Sequence, residues 1–323
     1  ADCAEAGAAL EEQGAWTCDG AVSPQVASDL RQEILGAHAA GLLGLSGNHL
    51  AVRAADGRRR GVAQEKPHVY EADVVVGGRV ERADVLQCCP VLERLIADEG
   101  QLRELLNGAR PTLRLDRLEQ AKVQVNTGCG GAFPYHFDVA ADKDSRRLLT
   151  ILLYLNPDWQ SGDGGEVELL PFPFAALAVP PLDGQLVAFS SNTTMHRVRP
   201  FRGAVGRVCV NLWFEGDVSV PFPGPLPSDE YDARVSKIVR ILRGQPIELR
   251  AFCKVWYKNV IADSFRDAFR PSADLDAAVK LHMEEAAEVQ ARISATTLDV
   301  LRECLPLEPR VESAELGGLF DGL

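Results

Sequence analysis

Between residues 119 and 217 the hydrophobic pattern changes period, and this constrains the fold more than any other feature of the 323-residue chain. Before it, apolar residues recur every three or four positions. Val26, Leu30 and Ile34 follow Ser23-Pro24, an N-cap with proline at the first helical position. Val91, Leu92, Leu95, Ile96, Leu102, Leu105 and Leu106 follow Pro90 as a second helical stripe, with a break near Gly100. From Glu119 onward the pattern is that of strands. Lys122-Val123-Gln124-Val125-Asn126 alternates, Leu148 to Leu155 is an apolar, β-branched and aromatic run, and Glu166 to Leu169 alternates again. Asp183-Gly184 marks a turn before a strand over Gln185 to Ser190, and Arg207 to Phe214 is the last clear strand. Short strands at turn-punctuated spacing predict a barrel or jelly roll. Beyond Pro221, Pro223, Pro225 and Pro227 helical periodicity returns, with Ser228 and Ser272 as expected N-caps. The expected layout is α+β: a helical support region (1–118), a β core (119–217) and a C-terminal helical extension (218–323). Arg53 to Gly61, with Arg58-Arg59-Arg60, reads as an exposed basic loop.

Within the β region, His136-Phe137-Asp138 places an imidazole and a carboxylate two residues apart, a spacing that puts both on one face of a strand. Chance supplies such a triplet often. Its context is more specific: the Gly-rich loop Thr127 to Gly131 precedes it, strands follow it, and His196 lies 58 residues after Asp138 at a loop-to-strand junction. Two histidines and one carboxylate are the facial triad of non-haem Fe(II) sites, which leaves coordination positions open. Arg207 opens the last strand and has the fork geometry that holds a carboxylate through two parallel hydrogen bonds. Arg197, Arg199 and Arg202 are rivals by distance alone. Asn211 would share the face of Arg207, and Tyr154 could reach the same carboxylate from a facing strand.

Composition narrows the setting. The formal net charge of −12 argues against broad phosphate-backbone binding, and no segment has the uninterrupted apolar length of a membrane helix. The eight cysteines show no CxxC pattern, so reduced thiols in a cytoplasmic compartment are expected, although residue 1 is not methionine and a leader is left open.

Taken together, the motifs between Lys122 and Phe214 resemble the prolyl 4-hydroxylase type of 2-oxoglutarate and Fe(II)-dependent oxygenase. They are His136-Phe137-Asp138, Leu153 to Trp159 (Leu-Tyr-Leu-Asn-Pro-Asp-Trp), Gly164-Gly165-Glu166, Gly184 to Phe189, Met195 to Val198, and Gly206-Arg207-Val208 with Leu212-Trp213-Phe214. The resemblance implies a double-stranded β-helix (jelly-roll) core. It assigns His136, Asp138 and His196 to Fe(II), and Arg207 and Tyr154, with Asn211 beside them, to the distal carboxylate of 2-oxoglutarate. O2 is the co-reactant, ascorbate is admitted as a reductant, and succinate and CO2 are the products. Oxygen-sensing relatives tend to carry tyrosine where this chain has Asn126, which makes Asn126 a further co-substrate candidate. The interval from His196 to Arg207 is two residues longer than in those relatives, implying a bulge or longer loop. An aspartate at 138 fits hydroxylation rather than halogenation.

The expected substrate is a prolyl residue of a protein or peptide; a free amino acid or small metabolite is the enzymatic alternative. A catalytically silent β-barrel acting as a binding or scaffold module is the alternative of another class. The C-terminal helices could brace the barrel, form a dimer contact or bind a partner, and amphipathicity does not choose among these.

Overall fold

A computed structural model of the chain describes residues 8–10, 14–109, 113–139, 145–217 and 233–305. Its elements run β1 (Ala15–Cys18), α1 (Pro24–Ala39), β2 (Gly44–Arg53), β3 (Arg59–Val76), β4 (Arg79–Val80), α2 (Ala83–Cys88), α3 (Pro90–Ala97), α4 (Glu99–Ala109) and β5 (Leu115–Asn126). They continue with β6 (Gly131–His136), β7 (Arg147–Tyr154), β8 (Val167–Leu170), β9 (Leu177–Val179), β10 (Leu186–Ser190), β11 (Met195–Phe201) and β12 (Arg207–Gly216). The C-terminal helices are α5 (Ala233–Arg243), α6 (Pro246–Trp256), α7 (Lys258–Ala268), α8 (Ala273–Gln290) and α9 (Ala295–Cys304).

Two antiparallel sheets form the core. The larger has the order β1-β10-β7-β12-β5-β3-β2, with β4 on β3; the smaller is β6-β11-β8-β9. This is the α+β, double-stranded β-helix architecture. Strand period assigns the faces of the large sheet. Leu149, Ile151 and Leu153 of β7, Val208, Val210 and Leu212 of β12, and Ala121, Val123 and Val125 of β5 pack with Leu30 and Ile34 of α1, Leu92 of α3 and Leu106 of α4. The other face turns inward. At one end Leu152, Tyr154, Val187 and Phe189 meet Val167 and Leu169 of the small sheet. At the other, Gln120, Lys122 and Gln124 of β5 and Arg207, Cys209, Asn211 and Trp213 of β12 line a cavity. The alternation of β5 therefore runs opposite to a solvent-facing strand: its polar residues point inward.

Ser23 caps α1 as its sequence predicts, accepting from the Val26 amide at 3.3 Å behind Pro24, and Ser272 accepts from Leu275 at 3.1 Å to cap α8. The break expected near Gly100 falls between α3 and α4 at Asp98. Three expectations change. The first 118 residues are not purely helical: β1 to β4 join the large sheet, and β5 begins at Leu115. The Arg53–Gly61 loop is the tight turn of a long β2–β3 hairpin, whose register runs from Arg53↔Arg59 to Gly44↔Glu71. Polar, partly exposed residues in both strands hide its period. The single helix expected from Ser272 to Leu301 is two, α8 and α9. The Ser228 cap and the proline-punctuated linker lie outside the described residues.

The C-terminal helices brace the core. Val239 of α5, Leu249 and Phe252 of α6 and Leu301 of α9 pack on Tyr135, Leu170 and Met195 on the outer side of the small sheet. Leu275, Ala278 and Val279 of α8 pack on Leu50 and Val52 of β2. Ser264 Oγ accepts from the amide of Tyr135 at 3.0 Å, satisfying a buried donor on the edge strand β6. No described helix is long and apolar enough to cross a membrane.

Candidate metal centre

His136 is the last residue of β6 and His196 the second of β11, and the two are direct partners across the antiparallel ladder. Asp138 follows in the loop after β6. Its Oδ1 lies 3.4 Å from His136 Nε2 and 3.6 Å from His196 Nε2, and one ligand atom from each residue falls within 4.8 Å of the others. Both imidazoles are oriented from behind. His136 Nδ1 is 2.9 Å from the Pro134 carbonyl and His196 Nδ1 is 3.3 Å from that of Thr194, so each presents Nε2 to the shared centre. Burial pushes the His196 imidazole down to about 4, which leaves its lone pair free at neutral pH. Burial opposes ionisation of Asp138, but His196, His136 and the Thr150 hydroxyl outweigh it and hold the carboxyl well below its usual range. Thr150 Oγ1 donates to Asp138 Oδ2 at 2.5 Å and lies 2.8 Å from Ser191 Oγ.

The triad opens into a cavity of about 300 Å³ that also holds Arg207 and Asn211. Arg207 is 2% exposed. Its Nε donates to the Gly165 carbonyl at 2.8 Å and its Nη1 lies 3.5 Å from Gln124 Oε1, and it forms no ion pair with a described carboxylate. A buried guanidinium without a counter-ion is costly, so this site suits an anionic ligand. The rival arginines are accounted for: Arg197 and Arg199 donate to the buried Glu168 at 2.5 and 3.1 Å, and Arg202 lies exposed beyond β11. Gly165 makes room for Arg207. It sits at φ +80°, and a Cβ there would come within 2.9 Å of Arg207 Cδ and of the Phe201 ring, which explains the Gly-Gly-Glu motif locally.

The Tyr154 ring faces the Arg207 guanidinium at 4.9 Å. Its hydroxyl is buried without a hydrogen-bond partner among the described residues, and burial keeps it protonated. An unused donor beside an unpaired arginine fits the distal carboxylate of 2-oxoglutarate. Asn126 does not belong to this set. Its Nδ2 donates to the Gly131 carbonyl at 2.8 Å and its Oδ1 accepts from the Gly128 amide at 3.1 Å, so the side chain is committed to the loop that launches β6. Between His196 and Arg207 the strand β11 shows register irregularities against β6, and a turn follows Phe201.

Sequence reasoning missed three contributors. Thr150, which orients Asp138, is the one polar residue in the run Leu148 to Leu155, and that was its signal. Arg250 of α6 donates to the Val139 carbonyl at 2.7 Å and pins the loop after Asp138, which nothing local announces. Lys66 of β3 lines the cavity from a strand whose period is obscured.

With this geometry in place, the comparisons with known proteins decide the family. Residues 121–215 match the 2OG-Fe(II) oxygenase superfamily. This stretch is a 2OG-Fe(II) oxygenase domain. No curated protein matches the chain. Among solved structures, a prolyl 4-hydroxylase from Phytophthora capsici has a TM-score of 0.67 at 23% identity, covering 93% of this chain and 90% of its own. A Pseudomonas putida prolyl-4-hydroxylase has a TM-score of 0.51 at 21% identity, covering 67% of this chain and all of its own (100%). A prolyl hydroxylase from Trichoplax adhaerens, solved with a hypoxia-inducible-factor oxygen degradation domain peptide fragment, has a TM-score of 0.51 at 20% identity, covering 66% and 90%. At these identities the likeness is one of fold. The oxygenase domain makes the protein a dioxygenase that uses Fe(II), 2-oxoglutarate and O2.

Proposed function

We propose that this dioxygenase hydroxylates a prolyl residue of a protein or peptide. In this reading His136, Asp138 and His196 hold the Fe(II), and Arg207, with Tyr154 and Asn211, holds the distal carboxylate of 2-oxoglutarate. The observation that carries the site assignment is one cavity with three converging ligand atoms and a buried arginine that has no counter-ion among the described residues. Bound Fe(II) supplies the coupled oxidation of 2-oxoglutarate, to succinate and CO2, and of a substrate C–H.

The chain's own contribution is positioning and exclusion of water. Thr150 fixes the carboxylate of Asp138, and the Pro134 and Thr194 carbonyls fix the two ring orientations. Gly165 and Gln124 hold the Arg207 fork in place. Leu152, Val167 and Val198 give the cavity an apolar wall beside the triad. The prolyl assignment draws support from the shared fold with solved prolyl hydroxylases, one of which was solved with a peptide. An intact triad speaks against a silent scaffold.

The test is mass spectrometry of proline-containing peptides and of small amino acids incubated with the protein, Fe(II) and 2-oxoglutarate. Gain of one oxygen atom on a prolyl residue is expected. Oxygen gain only on free amino acids would replace the peptide reading with the small-molecule one.

A further inference from the structure

The cavity carries four cations, Lys66, Lys122, Arg147 and Arg207. Three have a partner or a proposed role: Lys122 pairs with Glu71 at 3.1 Å and Asp73 at 3.6 Å, Arg147 pairs with Glu119, and Arg207 awaits the co-substrate. Lys66 has neither. It is 5% exposed, and its only hydrogen bond within the described chain goes from Nζ to Ser46 Oγ at 3.2 Å. The ammonium lies 4.5 Å over the ring of Phe133, on the strand that ends in His136. The nearby carboxylate, Glu71, is already engaged by Lys122.

An ammonium has three donors, and one hydroxyl and an aromatic face leave it under-satisfied. Burial pushes its ionisation down to about 8, with Glu71 acting to raise it and Lys122 to lower it, so it is still charged at neutral pH. A methionine would fill this space at lower cost. A buried cation with no counter-ion of its own among the described residues, in the wall of the reaction cavity, calls for an anion that arrives with a ligand. In the oxygenase reading both carboxylates of 2-oxoglutarate are already taken, the distal one by Arg207 and the other at the metal held by the triad, so the co-substrate leaves none for Lys66.

We propose that Lys66 is the anchor for a carboxylate of the substrate. The proposal rests on the oxygenase reading of the cavity and adds a specificity-determining residue to it: the molecule hydroxylated carries an anionic oxygen pair close to the reacting C–H. The carboxylate can come from an acidic side chain next to the target residue of a peptide or from the free α-carboxylate of an amino acid.

The experiment measures equilibrium binding to the full chain loaded with Fe(II) and 2-oxoglutarate under argon, where no turnover occurs. The probes are matched pairs: N-acetyl-Asp-Pro-amide against N-acetyl-Asn-Pro-amide for the peptide source, and L-proline against L-prolinamide for the free acid. In one pair the carboxylate member should bind about tenfold more tightly, as a charge-assisted bond to a desolvated ammonium gives. Lys66→Met should erase that difference, Lys66→Arg should retain part of it, and affinity for 2-oxoglutarate should stay unchanged in both. No carboxylate preference in either pair, including no binding of any probe, overturns the proposal. So does a preference that survives Lys66→Met, or a loss of 2-oxoglutarate affinity in that variant. The first comparison needs only the unmodified chain, so it stands if a variant fails to fold. Succinate formation without prime substrate is measured separately: if it is absent while the preference persists, the oxygenase reading fails and Lys66 stands as a carboxylate-binding residue only.

Discussion

His136 and His196 stand opposite each other across the β6–β11 ladder, with ring centroids 4.3 Å apart. Two residues 60 positions apart in the chain (196 − 136) are thus cross-strand neighbours, and Asp138 needs only to fold back from the end of β6 to complete the set. The metal centre is therefore a property of sheet register. A one-residue slip of β11 would send His196 to the opposite face.

Thr150 holds the remaining oxygen of Asp138. Thr150→Val keeps the shape and removes the donor, so Fe(II) affinity should fall about 10- to 100-fold with the fold intact. Anaerobic calorimetric titration with Fe(II) measures this, and unchanged affinity would remove Thr150 from the site.

Arg207→Lys keeps the charge and loses the fork. The KM for 2-oxoglutarate should rise by about two orders of magnitude, with a smaller effect from Tyr154→Phe. Because the Tyr154 hydroxyl has no partner among the described residues, Tyr154→Phe should leave thermal stability without co-substrate unchanged or slightly raised. Stabilisation by added 2-oxoglutarate should fall. Scanning calorimetry with and without the co-substrate reads both.

Gly165→Ala places a Cβ against Arg207 and Phe201 at φ +80°. It should cost about 1–3 kcal/mol in stability and raise the KM for 2-oxoglutarate, since Arg207 must move. Urea unfolding and steady-state kinetics check the two halves.

Lys66 gives a pH signature. Its folded-state value of about 8 lies below the ordinary 10.5. Above about pH 8 the folded protein sheds a proton that the unfolded chain keeps until about 10.5, so folding becomes more favourable across that window. Below it, the buried charge is a constant penalty. Lys66→Met should therefore be more stable than the unmodified chain at pH 7, by about 1–3 kcal/mol, and the gap should close as pH rises from 8 to 10.5. Urea unfolding of both proteins across that range measures the gap.

The sequence showed the site more clearly than its frame. His136, Asp138, His196 and Arg207 could be named because alternation and turn glycines mark β5, β7, β8, β10 and β12, and because the motifs along them resemble those of the oxygenase family, which implies their roles. The β2–β3 hairpin was hidden because its strands carry Gly, Asn, Glu, Lys and Pro, and their pairing is decided by contacts with β5 and α8 that no local pattern encodes. Lys66 was invisible for the same reason. Asn126 became a candidate only through the tyrosine that oxygen-sensing relatives carry there, and a position shared with relatives does not show a side chain's partner: this one bonds to Gly128 and Gly131.

The most direct test of the central claim is succinate formation from 2-oxoglutarate with Fe(II) and O2, comparing the unmodified chain with His136→Ala and His196→Ala. If these residues hold the metal, the unmodified chain forms succinate and each variant loses about a hundredfold or more of that rate while remaining folded. Equal rates in all three proteins, or no succinate from any of them, would contradict it.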